Sequence, residues 1–166
     1  MNGTHLRSAP CSLFAAIFCT ASPAMAAELD MLVFFSGHTH ADNVIRIVLH
    51  GPHKLIVDSV GGRNKEGQFV LIDTVQEEGK PTRKRTWVMH PDGPNRFTGS
   101  LSDANGPVDV TVAGNSATIR YVMKEGGLKV EQDLQLRSDG TLSNRATAKK
   151  FGVKFAQVDG TIRRSD

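Results

Sequence analysis

Residues 128–150 read Leu-Lys-Val-Glu-Gln-Asp-Leu-Gln-Leu-Arg-Ser-Asp-Gly-Thr-Leu-Ser-Asn-Arg-Ala-Thr-Ala-Lys-Lys, two alternating stretches hinged on Asp139-Gly140. In the first stretch Val130, Gln132, Leu134 and Leu136 share a face, opposite Glu131, Asp133 and Gln135. In the second, Leu142, Asn144, Ala146 and Ala148 oppose Ser143, Arg145, Thr147 and Lys149. A period of two sends successive side chains to opposite faces of a strand, so both stretches read as strands with one buried face. Asp-Gly between them is a hairpin signal, because both turn positions can take positive φ at low cost.

The same pattern spreads outward. Runs at Val44 to His50, Lys54 to Val60, Gln68 to Gln76, Arg83 to His90, Arg96 to Leu101, Val108 to Val112, Ser116 to Met123 and Val153 to Ile162 alternate or are apolar. Gly, Pro, Asn and Asp separate them. The total is about ten strands joined by hairpin-length loops. A meander of that length has too many edges to stay open, and closing it into an up-and-down antiparallel barrel removes them. A two-sheet sandwich is the rival, but it needs long crossing connections and none follows Gly62. The one helical candidate, Glu28 to Phe35, either plugs an end of the barrel or forms a first strand.

The first 26 residues read as a secretory signal peptide. Arg7 supplies the basic start, Leu13 to Phe18 the short apolar stretch and Ala24-Met25-Ala26 a small-x-small cleavage site. The apolar stretch is too short to span a bilayer. Export to the periplasm follows, with one mature domain over 27–166. Both cysteines, Cys11 and Cys19, fall in the leader, so the mature chain is expected to have neither disulfide nor thiolate metal site. Phe18 before Cys19 does not suit lipidation.

The formal charge of +3 falls by one with Arg7, and acids and bases intermix along the mature chain. The basic run Arg83-Lys84-Arg85 is split by strand alternation, which sends Lys84 to the face opposite Arg83 and Arg85. No basic stripe with interleaved aromatics occurs, so a nucleic-acid partner is not expected, nor is stable membrane insertion.

Inside the barrel, Ile45, Ile47, Leu49, Leu55, Val57, Val108, Val110, Val112, Ile119, Tyr121, Trp87 and Met89 make an apolar interior. Arg85, Gln132 and Asn144 share these inward faces. Asp73 joins them if Phe69 and Leu71 point inward, and the hairpin over Gly79-Lys80 then sets it near Arg85 and Trp87. A buried polar group without a partner costs roughly 1–3 kcal/mol. Either these groups satisfy one another and fix the core, or a ligand or ordered water completes them within a cavity.

Other chemistry is sparse. His38 and His40 share a face on a strand, with His50 and His53 nearby, but no further ligand stands at clear spacing, so no metal site is expected. No nucleophile elbow, phosphate loop or dinucleotide fingerprint is present, and no catalytic residue or cofactor is assigned. Asp73 with Arg85 is poor acid–base equipment, because each holds the other charged.

Phe34-Phe35-Ser36-Gly37, the acidic strand Leu71 to Gly79, Arg85-Thr86-Trp87, the turn Gly99 to Gly106, Asn144-Arg145 and Lys150-Phe151-Gly152 follow one another in a recognisable order. In order and spacing they resemble the bacterial exported family called domain of unknown function 3833, whose members look like calycin-type, lipocalin-related β-barrels. The chain departs from that pattern at Gln132-Asp133-Leu134, where an Asp-Trp-Met run is usual, and at Val75 and Glu77, where aromatics are usual. The resemblance implies a barrel and an envelope location but no activity. The expectation from the residues is a small apolar or amphipathic ligand, with Arg85 anchoring its head, Gln132 and Asn144 orienting it, Asp73 beside them and Trp87 and Tyr121 as walls. A scaffold with a filled core, working through a protein partner not identifiable from sequence, and an enzyme using the barrel interior are the alternatives.

Overall fold

The computed structural model describes residues 28–165. The leader, with Arg7, Cys11, Cys19 and the Ala24-Met25-Ala26 site, lies outside the described residues. A single-turn helix, α1 (Met31–Phe34), leads into ten strands: β1 (Gly37–Ile47), β2 (His53–Arg63), β3 (Phe69–Glu77), β4 (Arg83–Pro91), β5 (Arg96–Leu101), β6 (Val108–Ala113), β7 (Ser116–Val122), β8 (Lys129–Leu136), β9 (Leu142–Lys150) and β10 (Val153–Arg164). Each strand pairs antiparallel with the next, and β10 returns to β1, giving a closed meander barrel. Closure leaves no edge strand, and the sandwich alternative is excluded.

Alternation decides what enters the core. Burial along β6 alternates strictly, with Val108, Val110 and Val112 inside, and β7 places Ala117 and Ile119 inside. The hairpin at Asp139-Gly140 forms as read, with a correction to its turn. Only Gly140 takes positive φ (78°), while the Asp139 carboxylate accepts hydrogen bonds from the Thr141 amide and hydroxyl. Three residues, not two, thus turn the chain, with glycine at the left-handed position.

The first strand starts earlier than the apolar run suggests. β1 begins at Gly37, and its inward positions include Thr39, Ala41 and Asn43. Leu49, expected inside, is instead 97% exposed in the β1–β2 turn with φ of 67°. The strand has ended at Ile47, so alternation no longer governs that residue.

The two ends of the barrel differ. The chain enters β1 at one end, where α1 lies with the β2–β3, β4–β5, β6–β7 and β8–β9 hairpins; the other five hairpins lie opposite. Asp30 caps α1 by accepting the Val33 amide at 3.0 Å, and the Leu29 amide bonds Gly114 across the same end. Arg164 at the close of β10 donates to the Val33 and Phe34 carbonyls. Phe34 and Phe35 are buried, their rings edge to face at 5.1 Å. Gly61 makes this seat possible, since a Cβ there would stand 2.0 Å from the Phe35 carbonyl oxygen. Of the two readings of Glu28 to Phe35, the plug is the one adopted.

Candidate functional site

Halfway along the barrel the strand register lines up two rows of inward polar side chains. Ser59 on β2, Asp73 on β3 and Arg85 on β4 are direct cross-strand neighbours. Asp73, 2% exposed, is the hub: Oδ1 accepts the Ser59 hydroxyl at 2.7 Å, and Oδ2 accepts Arg85 Nε at 2.7 Å and the Trp87 indole N–H at 2.8 Å. The Arg85 guanidinium also lies 5.3 Å from the Trp87 ring centre. Burial pulls the Arg85 pKa down, but Asp73, with Tyr121 and Asp103, together more than offset this, and the net shift is upward.

The second row is neutral. Asn43 on β1, Gly160 on β10 and Asn144 on β9 share one register line. Asn144 Nδ2 donates to Asn43 Oδ1 at 2.8 Å, reaching across the intervening strand. Gly160 is what lets the side chains meet, because a Cβ there would stand 2.3 Å from Asn43 Oδ1. Asn43 Nδ2 donates to the Leu55 carbonyl at 3.2 Å, and Gln132 Nε2 donates to Asn144 Oδ1 at 2.8 Å. The chain of amides stops at Gln132, whose Oε1 takes no hydrogen bond among those of the described residues.

Between these rows and α1 lies a cavity of about 100 Å³. Met31, Leu32 and Phe35 form its roof, Phe69, Leu71, Met89, Phe97 and Leu134 much of its wall, and Asp73, Arg85, Gln132 and Asn144 its polar floor. Five of the six residues expected to line the interior therefore meet there, Trp87 included. Tyr121 does not. It packs edge to face on Trp87 at 5.7 Å, on the side away from α1, where burial pushes its hydroxyl pKa up. Beyond it, Asp103 Oδ2 takes Arg83 Nη1 at 3.1 Å while Oδ1 is buried without a partner among the described residues.

Asn43 and Ser59 belong to the site and were absent from the sequence-based set. Continuing the period of two backward from Ile47 and Ile45 puts Asn43 inside, but the first run read from the sequence begins only at Val44. On the outer face of the same strand, His40 is bound to Asp58 at 2.6 Å and Asp42 at 3.3 Å, and the Asp58 hydrogen bond chiefly holds its imidazole pKa up.

No helix among the described residues is long and apolar enough to cross a membrane. No curated protein matches the chain by sequence. Among solved structures, the S-type phycobiliprotein lyase CPES from Guillardia theta is similar, with a TM-score of 0.64 over 81% of this chain and 90% of that one, at 7% identity. That likeness is one of fold, a lipocalin-like barrel. Residues 15–164 match the family described as protein of unknown function (DUF3833). With nearly the whole sequence matched and the motif order carried on the barrel described above, the chain belongs to the DUF3833 family.

Proposed function

We propose that this protein is an exported, periplasmic carrier that holds a small apolar or amphipathic molecule beneath α1. The observation that carries the reading is the pairing of an apolar chamber with a polar floor whose amide row ends in an unused acceptor, Gln132 Oε1. Polar atoms closed off by packing are normally satisfied, and Gln132 Oε1 is not one of these closed-off atoms, so its lone pairs are open to a donor that reaches it. The guest that fits presents a hydroxyl or amide N–H to Gln132 and lays a hydrocarbon part against Leu71, Met89, Phe97 and Leu134. Arg85, already bonded to Asp73 through Nε, adds positive potential for a carbonyl or acidic head.

Volume sets the size of the guest. About 100 Å³ is less than the roughly 150 Å³ that admits benzene in an apolar cavity. Anything larger enters only as α1 withdraws, which breaks the two Arg164 hydrogen bonds and lifts Phe34 and Phe35 from their buried seats. Export rests on the order of Arg7, the apolar stretch 13–18 and Ala24-Met25-Ala26.

Native mass spectrometry of protein released from the periplasm of a producing bacterium tests the reading. The expected spectrum shows a polypeptide lacking the leader, with a retained small-molecule mass that is lost when Val57→Trp fills the chamber. Bare polypeptide alone, from a protein whose circular dichroism is that of a folded barrel, would overturn the carrier. A full-length chain held in the cytoplasm would overturn export.

A further inference from the structure

Two hairpins at the end opposite α1 are unlike their neighbours. The β1–β2 turn and the β9–β10 turn sit side by side, because β1 pairs with β10 and the Val48 amide bonds the Phe155 carbonyl at 3.0 Å. Five exposed large apolar side chains gather there: Val48, Leu49, Phe151, Val153 and Phe155. Leu49 and Phe151 are 97% and 95% exposed, at the very tips. The other three hairpins at this end, 78–82, 102–107 and 123–128, expose no large apolar residue and carry Glu78, Asp103 and Glu125.

The backbone at the tips makes the choice of residue informative. Leu49 has φ of 67° and Phe151 φ of 51°, both in the left-handed region. Bulky side chains rarely adopt it, and a turn built only to reverse the chain takes glycine or asparagine there. Strain of this kind persists where function requires the side chain. Both tips thus hold a large hydrophobe in a conformation that suits it poorly and aim it at solvent.

Charge identifies the occupant. Neither 46–54 nor 149–155 contains an acid, whereas Arg46, Lys54, Lys149, Lys150 and Lys154 are cationic. Arg46 is held by Asp159, but none of the four lysines has a carboxylate within ion-pair distance among the described residues. Lys129 on β8 stands opposite Lys149 and extends the basic girdle. Separate protruding hydrophobes ringed by unpaired lysines match an anionic lipid surface, where apolar groups enter the acyl boundary and ammonium groups meet phosphates.

We infer that these two hairpins dock the barrel reversibly onto an anionic bilayer, with Leu49 and Phe151 inserted and Lys54, Lys149, Lys150 and Lys154 against the headgroups. Docking in this pose turns α1 and the chamber beneath it away from the lipid. It therefore stands independently of the carrier reading, and either can fail without the other.

Sedimentation of the full chain with vesicles tests the docking, using phosphatidylglycerol mixed equally with phosphatidylcholine against phosphatidylcholine alone. The informative variant is Leu49→Asn with Phe151→Asn, because asparagine suits the left-handed backbone and preserves the fold. At least tenfold weaker binding than the unsubstituted chain is expected, with a melting temperature equal or higher. Replacing Lys149, Lys150 and Lys154 by serine should abolish the preference for phosphatidylglycerol. Emission from Phe151→Trp should shift to the blue on adding anionic vesicles. Equal binding by the tip variant and the unsubstituted chain would overturn the proposal, as would no binding to anionic vesicles at low salt. Loss of a dimer in the tip variant, without lipid binding by either protein, would also overturn it and assign the tips to a second copy.

Discussion

One wall of the barrel interior carries full charges, and the wall that adjoins it through the β1–β2 pairing carries only amides. On the β2–β3–β4 side, Asp73 accepts three hydrogen bonds and Arg85 neutralises it, so that wall is chemically complete. On the β1–β10–β9–β8 side, three amides pass hydrogen bonds in a line and end at Gln132 with an acceptor to spare. Buried charge survives only when paired, whereas a buried amide can wait for a partner at lower cost. The charged wall therefore reads as framework and the amide wall as the place where a guest is recognised.

Breaking the charged wall has the largest expected effect. Asp73→Ala leaves Arg85 buried without its counter-charge and removes the acceptor of Trp87 and Ser59. A loss of about 3–5 kcal/mol is expected in urea unfolding. A loss below about 1 kcal/mol would mean that Arg85 reaches solvent unaided and that the wall is not framework.

Gly160→Ala strikes the amide wall through its backbone. The new methyl would stand 2.3 Å from Asn43 Oδ1 and from the Asp42 carbonyl oxygen. The barrel must widen at that point, at about 1–3 kcal/mol by analogy with overpacked cores. Equal urea midpoints for variant and parent would show that both the Asn43 side chain and the Asp42 backbone give way freely.

Gln132→Met separates stability from recognition. It keeps the volume and removes one neutral hydrogen bond, for a cost of about 1 kcal/mol in the same unfolding assay. Retained small-molecule mass should nevertheless vanish. Retention of the ligand by this variant would move recognition to the charged wall.

The smallest effect is that of pH at the far end of the charged wall. There β3 ends on buried Glu77, bonded to His53 at 2.9 Å and Lys80 at 2.7 Å. Burial tends to raise the Glu77 pKa, but its Lys80 and His53 hydrogen bonds bring it below its ordinary value of 4.5. The same bond to Glu77 lifts the His53 imidazole above its ordinary 6.5. The histidine contribution to stability is complete below pH 6.5 and is lost as pH rises through the raised value. The Glu77 contribution is complete above pH 4.5 and is lost as pH falls through the lowered one. Thermal melts should show a shallow stability maximum between those limits, and His53→Gln should flatten its alkaline side. An unchanged profile would disconnect the pair from stability.

The barrel was legible because period two and turn residues act locally, and both recur through nearly all of the described residues. Asp73 was legible for the same reason: Phe69 and Leu71 fix its face, and a short hairpin brings it to Arg85. Asn43 was hidden because, on its N-terminal side, the inward face is marked only by the small Ala41 and then the polar Thr39. Tyr121 shows the limit of alternation, which tells inside from outside but not depth along the barrel axis, and depth decides which inward residue meets the chamber. Leu49 shows the converse, a hydrophobe assigned to the interior by type and placed outside by a turn. The chamber itself depends on how far α1 descends, which no pattern of single residues encodes.

Nine of the ten strand pairings join neighbours along the chain, and the tenth, between β1 and β10, joins its two extremities. Hairpins zip within microseconds, whereas this seam must gather residues as distant as Asp42 and Arg163, 121 positions apart. Refolding is thus a race already run by the local pieces and then delayed by a single suture, with Asp42–Arg163 and Arg46–Asp159 as outer stitches. Until that suture draws tight, both end strands offer bare backbone to any neighbouring chain, and this interval is when the newly made protein is most exposed to aggregation.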